Sequence, residues 1–173
     1  MSLCVSVKER GSLMEKLDFL EKADIFNGLN RDQLAVVKDC CAEEEYKHGD
    51  RLFDNGEDAN HLWIVMEGQI DLYFDRRVGS ILKNKTISSL KPTMPFGWSG
   101  LVAPNRYRFS AYSATSTCKV VKIEKNDITQ LFEKDSRLGY LVMSNLAKVV
   151  ANRFHQLQSE LLKHRGDHMS SNW

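Results

Sequence analysis

No apolar run in this sequence exceeds a few residues. The stretch 62–66 is typical of the longest, against the ~20 residues a bilayer-spanning helix needs, so no membrane partner is expected. Charge of one sign is not in excess: 24 Lys and Arg oppose 23 Asp and Glu, a formal net charge of +1. That balance gives no electrostatic drive toward nucleic acid, an anionic bilayer or a polyanionic substrate. A signal-peptide core is missing, because Lys8, Glu9 and Arg10 arrive too early for one. The four cysteines (Cys4, Cys40, Cys41, Cys118) show no C-x-x-C spacing, and the neighbours Cys40 and Cys41 point to different sides of an expected helix. They read as reduced thiols of a cytoplasmic chain. The five histidines (His48, His61, His155, His164, His168) include no H-x-H pair with a nearby glutamate, which excludes a cupin-type metal barrel. A nucleophile elbow is lacking too, since Leu101 stands where Gly97-Trp98-Ser99-Gly100 would need its closing glycine. No catalytic residue and no metal ligand is assigned.

The 173 residues, 42% hydrophobic and 27% charged, suit one domain with a single sizeable core. Residues 1–11 are expected to be flexible, 12–163 to form the domain, and 164–173 to be a disordered tail. Within the domain, residues 12–42 read as helices. Leu13, Leu17 and Leu20 recur at helical spacing, a turn follows at Asn27-Gly28, and Asn30 with Gln33 forms a capping box for a second helix running on through the cysteines. Residues 43–124 read as a barrel of short strands: 61–67, 69–74, 87–90, 108–114 and 119–124. Turn residues separate them at His48-Gly49-Asp50, Asp54-Asn55-Gly56, Glu67-Gly68 and Lys83-Asn84-Lys85. Residues 126–163 read as C-terminal helices, the last from 136 to about 163. Leu138, Leu141, Val142, Leu146, Val149, Val150, Phe154, Leu157 and Leu161 form one apolar stripe on it. The stripe is longer than one small barrel covers, so a homodimer paired through this helix is expected.

The order helices, barrel, long helix resembles the cyclic-nucleotide-binding domain of catabolite-activator type. The segment Phe26-Asn27-Gly28-Leu29, with Leu34 beyond it, is similar to that family's opening helix. Gly49, Phe53, Gly56, Val65 and Gly68 fit its pattern G-x-x-x-F-x-x-G…V-x-x-G. The most specific piece is Phe96-Gly97-Trp98-Ser99, with Arg108 ten residues after Trp98, which resembles the family's phosphate-binding cassette. The resemblance implies a jelly-roll barrel with flanking helices, mainly β, acting as a non-catalytic regulatory module. Its chemistry is coherent: a cyclic phosphate needs a fixed cation and convergent donors. Arg108 offers a bidentate guanidinium, Ser99 a hydroxyl, and Gly97 a close backbone approach.

Two residues depart from the family pattern. Trp98 stands where the family has a glutamate that accepts from the ribose 2′-hydroxyl, and indole donates only. Phe109 stands where a small or hydroxyl residue follows the arginine. Either the pocket takes a small phosphorylated or anionic effector, a cyclic nucleotide or another, or Trp98 and Phe109 fill it and the chain is a ligand-free interaction module. The candidate ligand-binding residues are Phe96, Gly97, Trp98, Ser99, Arg108, Phe109 and, on the last helix, Gln158. No cofactor beyond such an effector is called for. Catabolite-activator relatives carry a DNA-binding motif after the long helix. The few residues here past it cannot fold one, so no DNA binding by this chain is expected.

Overall fold

The computed structural model describes residues 7–78 and 81–170. Helix α1 (Val7–Lys22) leads into a 3-10 turn (Asp24–Phe26) and α2 (Arg31–Asp39). Eight strands follow: β1 (Cys41–Lys47), β2 (Arg51–Phe53), β3 (His61–Glu67), β4 (Ile70–Val78), β5 (Ile81–Leu90), β6 (Pro95–Phe96), β7 (Ser110–Ser113) and β8 (Thr117–Glu124). A second 3-10 turn (Trp98–Leu101) lies between β6 and β7, and α3 (Lys125–Lys134) and α4 (Ser136–Ser170) close the chain. The strands form two antiparallel four-stranded sheets, ordered β1-β8-β3-β6 and β2-β7-β4-β5. The fold is the jelly-roll barrel with flanking helices and a long C-terminal helix that the sequence resembles.

Strand β3 explains why the apolar run at 62–66 is continuous rather than alternating. Side chains alternate between faces of a strand, and here both faces are covered. Trp63 and Val65 point into the barrel with Phe53, Ile70, Leu90, Phe96 and Val120. Leu62 and Ile64 point outward onto Leu20, Phe26, Leu34, Val37, Ile128, Leu138 and Val142 of the helices. Strand β8 repeats the division, Cys118 and Val120 inward, Val121 and Ile123 outward.

The capping box forms as the spacing predicts: the Gln33 amide donates to Asn30 Oδ1 at 2.9 Å, and the Asn30 amide donates to Gln33 Oε1 at 3.1 Å. Gln33 then reaches across the fold, donating through Nε2 to Asp135 Oδ2 at 2.7 Å, while Asp135 Oδ1 accepts from the Leu138 amide at 3.0 Å. One carboxylate thereby fixes the start of α4 against α2. Further along, the buried Asn145 donates from Nδ2 to the carbonyls of Asn27 (2.7 Å) and Ile25 (3.3 Å), tying α4 to the first 3-10 turn.

Several boundaries differ from the sequence reading. Helix α1 begins at Val7 and α4 runs to Ser170, so helix extends into the start expected at 1–11 and into the tail expected from 164, while residues 1–6 and 171–173 lie outside the described residues. Two glycines, Gly11 and Gly166, fall inside these helices. A glycine inside a helix costs only about 1 kcal/mol relative to alanine, which the flanking helix formers outweigh. The second helix stops at Asp39, and Cys41 is the first residue of β1 rather than helical. Cys40 and Cys41 are half-buried free thiols and Cys118 a buried one, while Cys4 lies outside the described residues. Lys83-Asn84-Lys85 is no turn: it lies within β5, facing Arg76, Asp75 and Phe74, because the β4–β5 hairpin reaches out to the Val78–Ile81 pair.

Candidate functional site

Tyr107 anchors the wall from which the site is built. Its ring stacks on Phe53 at a centroid distance of 3.8 Å and an angle of 14°. Its hydroxyl donates to the His61 carbonyl at 3.2 Å and accepts from Trp63 Nε1 at 3.3 Å. Burial pushes the phenol's pKa up, so it stays protonated and structural. The neighbouring Arg106 is also committed, to Asp58 at 3.2 Å and to the Gly56 carbonyl at 3.0 Å. Arg108 is different. It is exposed and, among the described residues, has neither a hydrogen bond nor an ion pair.

Facing Arg108 is the turn after β6. Gly97 has φ +70°, and a Cβ there would sit 2.5 Å from Trp63 Cδ1, so backbone shape and packing both demand glycine. The loop beyond it is pinned by Asn105, whose Nδ2 donates to the Gly100 carbonyl at 2.8 Å. Between the turn and Arg108 lies a cavity of about 400 Å³. Gly97, Trp98, Ser99, Arg108 and Phe109 all line it, together with Ser88 and Ser89 of β5 and Val150, Arg153, Phe154, Gln156 and Leu157 of α4.

Trp98 and Phe109 form walls and leave the cavity open. Phe109 packs edge-to-face on Phe74 at 6.3 Å. Trp98 lies under Arg153, whose guanidinium carbon is 4.3 Å from the ring centroid, a cation–π contact. Arg153 also donates from Nη2 to the Pro95 carbonyl. Burial lowers its pKa to about 10, against a smaller opposing effect of the Asp24 carboxylate, which leaves it charged at neutral pH.

Two candidates lie elsewhere. Phe96 is fully buried in the barrel, stacked on Phe53 at 6.0 Å and Trp63 at 6.1 Å, and does not line the cavity. The inward side of β6 points to the core, and the cavity opens only after the Gly97 turn. Gln158 is exposed and also absent from the lining. It follows Leu157 by one residue, about 100° around the helix, while Gln156 borders the cavity instead. Arg153, Asn105 and Tyr107 were not singled out from the sequence. Arg153 had a signal: a lone cation three residues after Val150 and four before Leu157, inside an otherwise apolar stripe.

The family model for the cyclic nucleotide-binding domain matches residues 43–135, more than half of the sequence, and spans the barrel, the cassette turn and Arg108. The chain belongs to the cyclic nucleotide-binding domain family. Members of this family are regulatory domains, and the fold described above is that of such a domain. This cyclic nucleotide-binding domain is similar to the potassium channel GORK of Arabidopsis thaliana, 20% identical over 163 residues that make up 93% of this chain and 19% of the channel. The chain therefore spans about a fifth of the length of that curated relative. Among solved structures, a cyclic nucleotide-binding domain from Methylobacillus flagellatus superposes with a TM-score of 0.74 at 15% identity, covering 89% of this chain and 84% of that one. The regulatory domain of Toxoplasma gondii PKA, solved with cAMP, gives 0.68 at 20% identity, covering 86% of this chain and 53% of that one. Both likenesses concern the fold. Among the described residues no helix is long and apolar enough to cross a membrane.

Proposed function

We propose that this domain is a non-catalytic, cytoplasmic sensor whose cavity takes a small anionic effector, a cyclic nucleotide or another phosphorylated compound, with its phosphate on Arg108. One observation carries the reading: Arg108 lines an open cavity with no protein partner among the described residues, while Arg106 two positions earlier pairs with Asp58 and the Gly56 carbonyl. An arginine fork left free beside a cavity is matched to phosphate oxygens, and its charge-assisted bonds are the strong kind. Ser99 and the Gly97 turn stand on the same lining. Trp98 supplies no acceptor for a ribose hydroxyl, a loss of about 1–3 kcal/mol or one to two decades of affinity. Cyclic nucleotides are therefore expected to bind more weakly here than in a pocket with a carboxylate at that position.

The signal leaves through α4. Leu138, Val142 and Leu146 of its apolar stripe are buried in the domain's own core, and Val150, Phe154 and Leu157 line the cavity. A second face remains open: Tyr140 is 72% exposed and Phe154 58%, and with Met143, Ala147 and Val150 they follow steps of three and four residues. That spacing is a coiled-coil seam, and it supports a homodimer through α4. Because Val150 and Phe154 belong to both the seam and the cavity wall, an effector that favours one position of α4 alters the pairing surface. The near-zero net charge supports the absence of direct DNA binding.

Calorimetry with cyclic AMP, cyclic GMP and adenosine 5′-monophosphate, on the parent chain and Arg108→Ala, tests the reading. A binding isotherm weakened at least about tenfold by Arg108→Ala is expected, the worth of one charge-assisted contact. No binding by any of the three, or binding indifferent to Arg108→Ala, would overturn it.

A further inference from the structure

The charge inside the cavity does not match a singly charged ligand. Two of its lining residues are arginines, Arg108 and Arg153, and among the described residues no Asp or Glu lines it. Arg153 is held in place on one side only: its guanidinium lies over the Trp98 ring and Nη2 donates to the Pro95 carbonyl, while a guanidinium has five N–H donors. The Asp24 carboxylate acts on it from the first 3-10 turn without forming an ion pair with it among the described residues. The remaining donors belong to a side chain that borders the cavity. Around them stand three serines (Ser88, Ser89, Ser99) and the aromatic rings of Trp98, Phe109 and Phe154.

We infer that Arg153 is a second anion anchor, and that the effector is an aromatic dianion, a phosphate monoester being the simplest, rather than a cyclic phosphodiester with one charge. The inference rests on the sensor reading above and narrows its ligand. A phosphodiester would neutralise Arg108 and leave Arg153 uncompensated in a half-buried, aromatic-walled space, where unpaired charge is costly. A dianion compensates both. The bare indole under Arg153 follows from the same logic: a carboxylate in place of Trp98 would already neutralise this arginine, and the indole holds it while leaving its charge free.

Adenosine 5′-monophosphate and cyclic AMP share a base and sugar and differ in charge, since the monoester loses its second proton near pH 6. Calorimetry at pH 8 is expected to give about 10- to 100-fold tighter binding of the monophosphate. That advantage should disappear at pH 5, where both nucleotides are monoanions. Arg153→Gln should remove the advantage at pH 8, Arg153→Lys should keep most of it, and Arg108→Gln should weaken both ligands. The ionisable side chains near Arg153 are Asp24 and His155, the latter exposed beside Phe154, and the Arg153→Gln series measured at both pH values separates their effect. Circular dichroism melts verify that each variant is folded. Equal affinity for the two nucleotides with Arg108 dependence kept would overturn the dianion and spare the sensor. A monophosphate preference that survives Arg153→Gln would overturn the role of Arg153. No binding of either nucleotide would remove both readings together.

Discussion

A single missing Cβ shapes the site. Gly97 sits at φ +70° against the Trp63 indole, which is buried in the barrel and cannot yield. Gly97→Ala is expected to cost about 1–3 kcal/mol and to weaken the nucleotide binding that depends on Arg108, because the turn carries Trp98 and Ser99. Gly68 is the control. A Cβ there would lie 2.4 Å from Thr115 Oγ1 and 2.5 Å from the Thr117 carbonyl, remote from the cavity. Gly68→Ala should lower the melting temperature by at least as much while the folded fraction keeps its ligand affinity. Equal loss of affinity in both variants would contradict a specific role for the Gly97 turn. At this scale the sequence was informative where residue type is forced by chemistry. Gly97, Ser99 and Arg108, which line the cavity, and the Asn30–Gln33 cap stand out by type and spacing. Gln158 lies off the lining, because a helix face cannot be resolved to one residue before the neighbouring barrel is known. Arg153 was overlooked because a cation in an apolar stripe reads as a solvated edge until the indole beneath it is seen.

Helix α4 illustrates the same limit for elements. Its apolar residues are legible as one stripe, and among the described side chains the structure divides them among three surroundings: core, cavity and solvent. Leu138→Ala, which removes a fully buried side chain from the contact between α4 and the barrel, should cost about 2–5 kcal/mol in denaturant unfolding. Tyr140→Ala, at 72% exposure, should leave monomer stability within about 0.5 kcal/mol and weaken self-association measured by light scattering at high concentration. A chain that is monomeric at every concentration, or a dimer untouched by Tyr140→Ala, would count against the seam. Strands were read best where both chemistry and turns agree: residues 61–67 match β3 at both ends. The β4–β5 hairpin was cut short because Lys83-Asn84-Lys85 has turn-like composition, yet strand pairing with Asp75 and Arg76 overrides it.

For the whole molecule, the pH response between about pH 4 and 8 draws on two groups on the same sheet. Burial, and next the Lys122 ammonium, hold His61 below its ordinary 6.5. Burial acts to raise the Glu44 carboxyl, but hydrogen bonds from the Tyr46 hydroxyl and from Lys122 Nζ at 2.9 Å outweigh it and lower its pKa. In both cases the unfolded chain binds the proton more readily, so stability rises with pH through each interval. Stability should be flat between about pH 7 and 8. It should begin to fall below pH 6.5 as unfolded His61 protonates, and fall further below 4.5. Glu44→Gln should flatten the lower portion and His61→Gln the upper, measured as urea midpoints from pH 3 to 8. Family and architecture were legible in the sequence because turn glycines and the cassette are local signals. Whether aromatic residues fill or merely wall the cavity depends on packing between β5, the cassette turn and α4, which no local pattern encodes.

The docking of a small anion on Arg108 can be watched at the guanidinium itself. Proton–nitrogen correlation spectra of the Arg108 Nε–H should shift as adenosine 5′-monophosphate or cyclic AMP is added, in step with the Gly97 and Ser99 amides and along one binding curve. A saturable response elsewhere in the domain with the Arg108 signal unmoved, or no response to either nucleotide, would contradict the site.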